Sequence, residues 1–253
     1  MNRYLTALVL GTLLAAACVV YDVQADLPDT STWPVASVTA VDVRADNGAI
    51  AVRAGADTLV SATVTKNRKG TSHADAEAHL ADITTGDSLS GTTLYLWGKV
   101  PAPNTRSYDT EYALAAPAPC LLRLETANGA VNLDSMAGAA VVVAANGAVS
   151  TVAHSGSISV TAANGAIDCD IAGLEPTEAA ALQSSNGRVT LYLPVDAAIT
   201  FDITTSNGVA TVTGFSSVSY VVNDAKHKTG TIGAGGSAVT LRSDNGNVTI
   251  QAR

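Results

Sequence analysis

The chain has 253 residues, of which 47% are hydrophobic, yet only 4% are aromatic and 14% charged. High apolar content with sparse charge excludes a disordered chain; with so few aromatics it points to short strands packed through Ala, Val, Leu and Ile. The formal net charge of −8 argues against a nucleic-acid binder, because a phosphate backbone needs a basic patch.

Residues 1–25 read as a signal peptide. Arg3 precedes an apolar run from Leu5 to Val20, which is short for a membrane span. Two processing sites compete. Leu14-Ala15-Ala16-Ala17-Cys18 resembles a bacterial lipobox, although Ala15 stands where Leu is usual; Cys18 would then carry the lipid. Val23-Gln24-Ala25 offers ordinary cleavage after residue 25 and a soluble product. The lipobox is the favoured reading. With Val19 behind it, it resembles an outer-membrane sorting signal. Either route exports the chain, and outside the cytoplasm a disulfide between Cys120 and Cys169 is permitted.

Residues 26–35, polar and bounded by proline, read as a tether, and residues 36–253 as one β-repeat domain. Val41, Val43 and Ala45 alternate toward the corner Asp46-Asn47-Gly48, and Ile50 and Val52 alternate after it. Leu59 to Val64 is another β-rich run. The basic groups Lys66, Arg68, Lys69 and Lys226, His227, Lys228 read as solvated strand ends or loops. Across residues 72–83 the period becomes helical: Ala76, Leu80 and Ile83 share a face, and Thr71 or Ser72 caps the start. His73, Asp75, Glu77 and His79 on this helix lack an obvious third ligand on one face, so no metal is expected. Leu89 to Val100 reads as a strand pair, Pro101 to Thr105 as a loop and Tyr108 to Leu114 as a strand.

A repeat then takes over. The tetrapeptide Ala-Asn-Gly-Ala starts at Ala127, Ala145 and Ala163, a step of 18, and Gly129, Gly138, Gly147, Gly156 and Gly165 recur at a step of 9. Two and four residues after each glycine stand mostly apolar side chains: Val131 and Leu133, Ala140 and Val142, Val149 and Thr151, Ile158 and Val160, Ile167 and Cys169. Val189 and Leu191 follow Gly187 in the same way, and Val248 and Ile250 follow Gly246. This is the alternation of half-buried strands. The corners are Asn47-Gly48, Asn128-Gly129, Asn146-Gly147, Asn164-Gly165, Asn186-Gly187, Asn207-Gly208 and Asn245-Gly246, where glycine supplies positive φ.

Asn-Gly also marks hairpins, so an antiparallel meander fits. A constant step of 18 fits a solenoid better, with two strands per coil and Asn128, Asn146 and Asn164 stacked as an amide ladder. Beyond Gly165 the glycine steps lengthen to 22, 21 and 38, with a strand at Ser216 to Asn223 and a loop at Asp224 to Gly230. Calcium is not expected, because the corners carry Ala and Asn rather than the Asp of calcium-binding repeats.

The order of these segments resembles the bacterial putative-adhesin β-strand-repeat family, an envelope domain of unknown function. The corner S/T-x-N-G-x-[VI]-x-[VIL] recurs at Asn128, Asn186 and Asn245, and departs at Asn207 where Ala210 replaces Val or Ile. VSATVTK and ADAEAHLADI precede Tyr112-Ala-Leu-Ala-Ala-Pro; RVTLYLP precedes ITFDITTSNG; and IGAGGSAVTLRSDNGNVTI closes the chain. The resemblance implies an all-β roll or β-helix-like solenoid, an envelope location and no catalytic residues.

Nothing in the motifs contradicts this. G-x-S-x-G, CxxC and HExxH are absent. The enzymatic alternative is a polysaccharide-acting β-helix using Asp168 and Asp170, with Asp134 two coils away, and a solvated acidic edge is the plainer reading of those residues. By the same register Cys120 and Cys169 fall on different faces and coils, which disfavours a bond. The expected protein is a non-catalytic, cofactor-free, lipid-anchored envelope module. Its ligand is a surface or periplasmic protein or glycan. An envelope-stress signalling component is the alternative role.

Overall fold

The computed structural model describes residues 23–102 and 107–253; Cys18, the lipobox and most of the signal peptide lie outside the described residues. Before the repeats run β1 (Val23–Pro34), β2 (Ala40–Ala45), β3 (Ile50–Ala54), β4 (Leu59–Gly70), helix α1 (His73–Ala78), β5 (Thr84–Ser90), β6 (Thr93–Lys99) and β7 (Tyr108–Ala116). The repeats supply β8 (Leu121–Asn128), β9 (Val131–Asp134), β10 (Ala140–Asn146), β11 (Val149–Ser155), β12 (Ile158–Asn164) and β13 (Ile167–Gly173). After them come β14 (Ala179–Ser184), β15 (Val189–Leu193), β16 (Ile199–Thr205), β17 (Ala210–Thr213), β18 (Val218–Asn223), β19 (His227–Ile232), β20 (Ser237–Ser243) and β21 (Val248–Ala252).

Two sheets face each other. Sheet 1 runs β1-β4-β7-β3-β9-β11-β13-β15-β21-β17, and sheet 2 runs β18-β19-β16-β20-β14-β12-β10-β8-β2-β6-β5. The strands from β7 to β17 in sheet 1 and from β6 to β16 in sheet 2 are parallel. Each coil is therefore a sheet-2 strand followed directly by a sheet-1 strand, which is a solenoid and not a meander. The inward offsets read from the repeat, from Ile50 and Val52 through Val248 and Ile250, are all at 2% exposure or less. Each buried aliphatic side chain of this kind contributes about 1.5–3 kcal/mol relative to exposure.

Stacking order departs from sequence order at both ends. The coils lie as β6–β7, β2–β3, β8–β9, β10–β11, β12–β13, β14–β15, β20–β21, β16–β17. The last coil in the chain is inserted between the two that precede it. The neighbour of the Asn186 corner is therefore Asn245 and not Asn207, and the 38-residue step from Gly208 to Gly246 is long because β18 and β19 lie within it.

Three features recur at the corners, not all of them at each one. The amides form a ladder in stacking order: Asn146 Nδ2 donates to Asn128 Oδ1 at 2.9 Å, Asn164 to Asn146, Asn186 to Asn164 and Asn245 to Asn186 at 2.8 Å each, and Asn207 to Asn245 at 3.0 Å. Asn47 instead donates to the Tyr108 carbonyl at 2.9 Å. Where Ser or Thr stands two residues before the Asn, its buried hydroxyl donates to the corner-glycine carbonyl of the adjacent coil: Thr126 to Gly48, Ser184 to Gly165, Ser243 to Gly187 and Thr205 to Gly246, at 3.1, 2.9, 2.8 and 2.7 Å.

The glycine itself is required by close approach. A Cβ on Gly129, Gly147, Gly165 or Gly187 would lie 2.1, 1.9, 2.0 or 2.0 Å from the carbonyl oxygen of the glycine in the neighbouring coil. Positive φ, expected at every corner, is found at Gly48, Gly129 and Gly147, but Gly165, Gly187, Gly208 and Gly246 lie outside the left-handed range. What the corners share is crowding, not turn conformation.

Antiparallel strands cap one end on both sheets and the other end on sheet 2, where sheet 1 finishes in the parallel strand β17. At one end β1 pairs with β4 and β4 with β7, while β5 pairs with β6; at the other β19 pairs with β16 and β18 with β19. The tether expected at residues 26–35 is thus mostly strand, since Asp26 to Pro34 belong to β1. Its Pro28, Pro34, Asp26 and Asp29 mark it as a guarded edge strand, where a missing N–H costs no ladder bond. The helix is shorter than expected, α1 followed by a 3-10 turn at Leu80–Asp82, and Ser72 caps it by accepting from the Asp75 N–H at 3.2 Å. Ala76, Leu80 and Ile83 pack with Ala25 and Tyr108 into a small second core.

Arg68 and the 224–230 segment also depart from expectation, while Lys226, His227 and Lys228 lie at a partly exposed strand end as expected. Arg68 is not solvated: at 0% exposure it donates to the Asp75 carbonyl of α1 and lies 5.5 Å from the centre of the Tyr108 ring. The loop expected at Asp224 to Gly230 becomes strand from His227 onward. There Thr205 and Ala210 donate to the Lys226 and Ala225 carbonyls and draw the segment onto the last coil.

Crowding and ladder can be separated by mutation. Gly165→Ala should destabilise the protein by about 1–3 kcal/mol or more, as overpacking does. Asn164→Ala, which removes exposed amide bonds, should cost about 0.5–1.5 kcal/mol. Urea denaturation of both variants checks the order of the two losses; equal losses would mean that the ladder, not close approach, limits the corner.

Candidate functional site

The outward positions carry whatever chemistry the solenoid has. On β6 the alternation buries Leu94 and Leu96 and turns Trp97 outward at 36% exposure. Its register partner on β5 is Gly86, where a Cβ would meet the indole at 2.3 Å, so the ring lies across that glycine. On the other side the ladder places Arg44 beside Trp97, Glu125 beside Arg44 and Val143 beside Glu125. The same row continues to Thr161, Gln183 and Arg242.

Two open depressions lie along this row. One, of about 340 Å³, is lined by Arg44, Asp46, Trp97, Lys99, Glu125 and Val143 among others; the second, of about 240 Å³, by Ser159, Thr161, Ala181, Gln183, Thr240 and Arg242 among others. Four charges at the Trp97 end of the row pair with one another. Arg44 donates twice to Asp42, at 3.0 and 3.1 Å, and Arg123 lies 3.7 Å from Asp42 and 3.6 Å from Glu125. The hydrogen bond and charge of Asp42 raise the Arg44 pKa further. A depression of about 350 Å³ on the outer face of sheet 1 is floored by Ala51, Ala113 and Ala115 and has no aromatic wall.

The carboxylates weighed for catalysis are not left facing one another. Arg188 donates to both oxygens of Asp168, at 3.3 and 2.6 Å, and Arg253 lies 2.8 Å from Asp170. A bulge after Thr151, with Ala153 at φ 49°, breaks the register that would carry Asp170 to Asp134. Asp168 and Asp170 are thus each paired with a guanidinium, while Asp134 accepts from the Ser135 hydroxyl at 2.8 Å. His73 lies 3.4 Å from Glu77, and His79 lies 2.9 Å from the Asp75 carbonyl. Among the described residues no group of three or more His, Cys, Asp or Glu side chains is placed to hold a metal. Cys120 and Cys169 are free and buried; Cys120 leads into β8 of sheet 2, while Cys169 lies on β13 of sheet 1. Burial pushes their thiols up to about 11 and about 12, far from a reactive thiolate.

The corner residues Asn47 to Gly246 form a column on one flank of the solenoid and bind one another, so they serve the scaffold. Sequence reading missed the Trp97 row. The signal was present: Leu94 and Leu96 alternate with Tyr95 and Trp97, which assigns both aromatics outward. That Trp97 and Arg44 are neighbours depends on the out-of-sequence stacking of β6 on β2.

A fold of this kind defines a class: an end-capped, two-sheet parallel β-solenoid with a rigid, open outer face. Residues 34–251 match the family described as Toastrack DUF4097, and the chain belongs to that family, a putative-adhesin β-repeat family of unknown function. Among solved structures it is similar in fold to a putative cell adhesion protein from Clostridium sporogenes, at 11% identity and a TM-score of 0.53, over 90% of this chain and 100% of that one. A putative adhesin from Bacteroides fragilis aligns over 90% and 97% of the two chains at 14% identity, with a TM-score of 0.31. No curated protein matches the chain.

One buried group should respond to pH. His154, at 0% exposure just after the bulge, has neither ring nitrogen in hydrogen-bond geometry. Burial lowers its pKa, opposed only in part by the Ser157 backbone and Glu178. A depressed folded pKa means that its stabilising effect is complete above the unfolded value, about 6.5. That effect is lost as pH falls below 6.5 through the folded pKa. Urea midpoints measured at pH 7.5 and 5.5 should therefore differ, and His154→Leu should shrink the difference.

Proposed function

We propose that the protein is a non-catalytic, exported binding and scaffolding module of the bacterial cell envelope, anchored by lipid at Cys18 and presenting the outer face of sheet 2 to a surface or periplasmic ligand. The observation that carries this reading is the Trp97 row: an exposed aromatic and a line of polar side chains held on a rigid parallel sheet. The acids that would serve an enzyme are engaged by Arg188 and Arg253.

The start of β1 supports the lipobox over cleavage after residue 25. Val23, Gln24 and Ala25 pair with Gly70, Lys69 and Arg68, and Ala25 is buried beneath α1. Cleavage after Ala25 would strip these residues from the cap, whereas cleavage before Cys18 keeps the strand whole. Four residues, Val19 to Asp22, then separate Cys18 from Val23, and the capped end is held close to the membrane.

Phase partition of the native protein should place it with detergent, and Cys18→Ser should move it to the aqueous phase; an aqueous wild-type protein would remove the anchor from the proposal. Protease added to intact cells should cleave it. Cleavage only after lysis would confine the module to the periplasm.

A further inference from the structure

The geometry points to a linear, uncharged oligosaccharide as the ligand of the sheet 2 face, bound along the solenoid axis with one sugar stacked on Trp97; this rests on the binding-module reading above. Trp97 offers the flat apolar plate on which the C–H face of a pyranose packs. Gly86 beneath the indole holds the ring across the strand pair. Aromatic plates of this kind contribute apolar contact at little cost in side-chain entropy.

The row beside Trp97 has the spacing of a sugar chain. Neighbouring strands lie about 4.8 Å apart, so successive side chains in a row recur at roughly the length of one pyranose residue. From Trp97 through Arg44, Glu125, Val143 and Thr161 to Gln183 and Arg242 there are six strand steps, about 29 Å. Five or six sugars laid perpendicular to the strands would span it, and Glu125, Thr161, Gln183 and Arg242 supply acceptors and donors for hydroxyls. The two depressions lie at the two ends of this track.

Charge decides against a polyanion. Arg44 and Arg123 are engaged with Asp42 and Glu125; Lys99 and Arg242 stand outside these pairs at opposite ends of the track and do not combine into a basic patch, and the chain as a whole carries −8. An uncharged chain rich in hydroxyls loses nothing to this field. Side chains on a parallel sheet are already ordered, so binding avoids the cost of fixing a loop.

Titration calorimetry with cellohexaose, chitohexaose, laminarihexaose and maltohexaose tests the class, with hexagalacturonate as the acidic control. At least one neutral hexamer should bind, at least tenfold more tightly than its dimer. Trp97→Ala should weaken it at least tenfold. Because that variant uncovers Gly86, Gln183→Ala provides a second test: it should weaken the hexamer and leave the dimer unchanged. Failure of all four neutral hexamers, binding of the acidic chain alone, or unchanged affinity in Trp97→Ala would overturn the proposal.

Binding to the envelope fraction of the producing bacterium separates the two readings. Loss of binding after periodate oxidation supports a glycan. Binding that survives periodate and is lost after protease overturns the oligosaccharide while leaving the binding module standing, and no binding to untreated envelope sinks both.

Discussion

Where one coil meets the next at the corner, the carbonyl oxygen of a glycine stands where the neighbouring coil would place a Cβ, about 2 Å away. The whole solenoid depends on this approach. Side chains at the corner would hold the coils apart, and the parallel ladders on both sheets could not close to hydrogen-bonding distance together. The rest of the S/T-x-N-G motif answers the consequences. The buried carbonyl needs a donor beyond the backbone, and Thr126, Ser184, Ser243 and Thr205 supply one. The exposed amide beside it bonds to its equivalent in the next coil. At Ala144 and Ala162 the hydroxyl is missing and the fit is kept by size alone.

A stack of this kind has no natural end, since each coil presents unpaired strands to the next. Among the described strands, one end is closed on both sheets, and the other on sheet 2, by a change of strand direction. Antiparallel β4 and β1 cover one edge, with proline and aspartate in β1, and β19 and β18 extend the other. Insertion of β20–β21 between β14–β15 and β16–β17 adds a lock, because that coil is held by a neighbour on each side. At the N-terminal cap the buried Arg68 ties α1 to β4 and to the Tyr108 ring. A guanidinium suits this place because its planar group can reach a helix carbonyl and lie against an aromatic ring at once.

The sequence made the coil legible because two periods coincide: alternation along each strand and the 18-residue return of the corner. Those two facts locate the inward residues from Ile50 to Ile250. They do not locate neighbours where the stacking leaves chain order, so the ladder from Asn186 to Asn245, and the meeting of Trp97 with Arg44, were beyond reach. Polar residues in caps misled for a related reason. Asp26 to Pro34 has the composition of a tether, yet an edge strand asks only that one row of its backbone groups be paired. Arg68 reads as solvated because nothing local announces the helix that buries it.

The division of labour among positions also narrows where recognition can occur. Corner residues are committed to one another, and inward residues are limited by the space between two sheets. Only the outward offsets are free to vary without damage to the coil. On sheet 1 several of these are spent on ion pairs, Asp168 with Arg188, which ties β13 to the start of β15, and Asp170 with Arg253, which reaches past β15 to the end of β21. On sheet 2 the ion pairs gather at Asp42, Arg44, Arg123 and Glu125, and beyond them the row runs through Val143, Thr161 and Gln183 to the single cation Arg242. A surface bounded by a balanced charge cluster, headed by an indole and continued by small polar side chains at strand spacing suits a long, uncharged, hydroxyl-bearing chain. It would serve poorly for a compact charged ligand, which needs converging partners that a flat sheet does not provide.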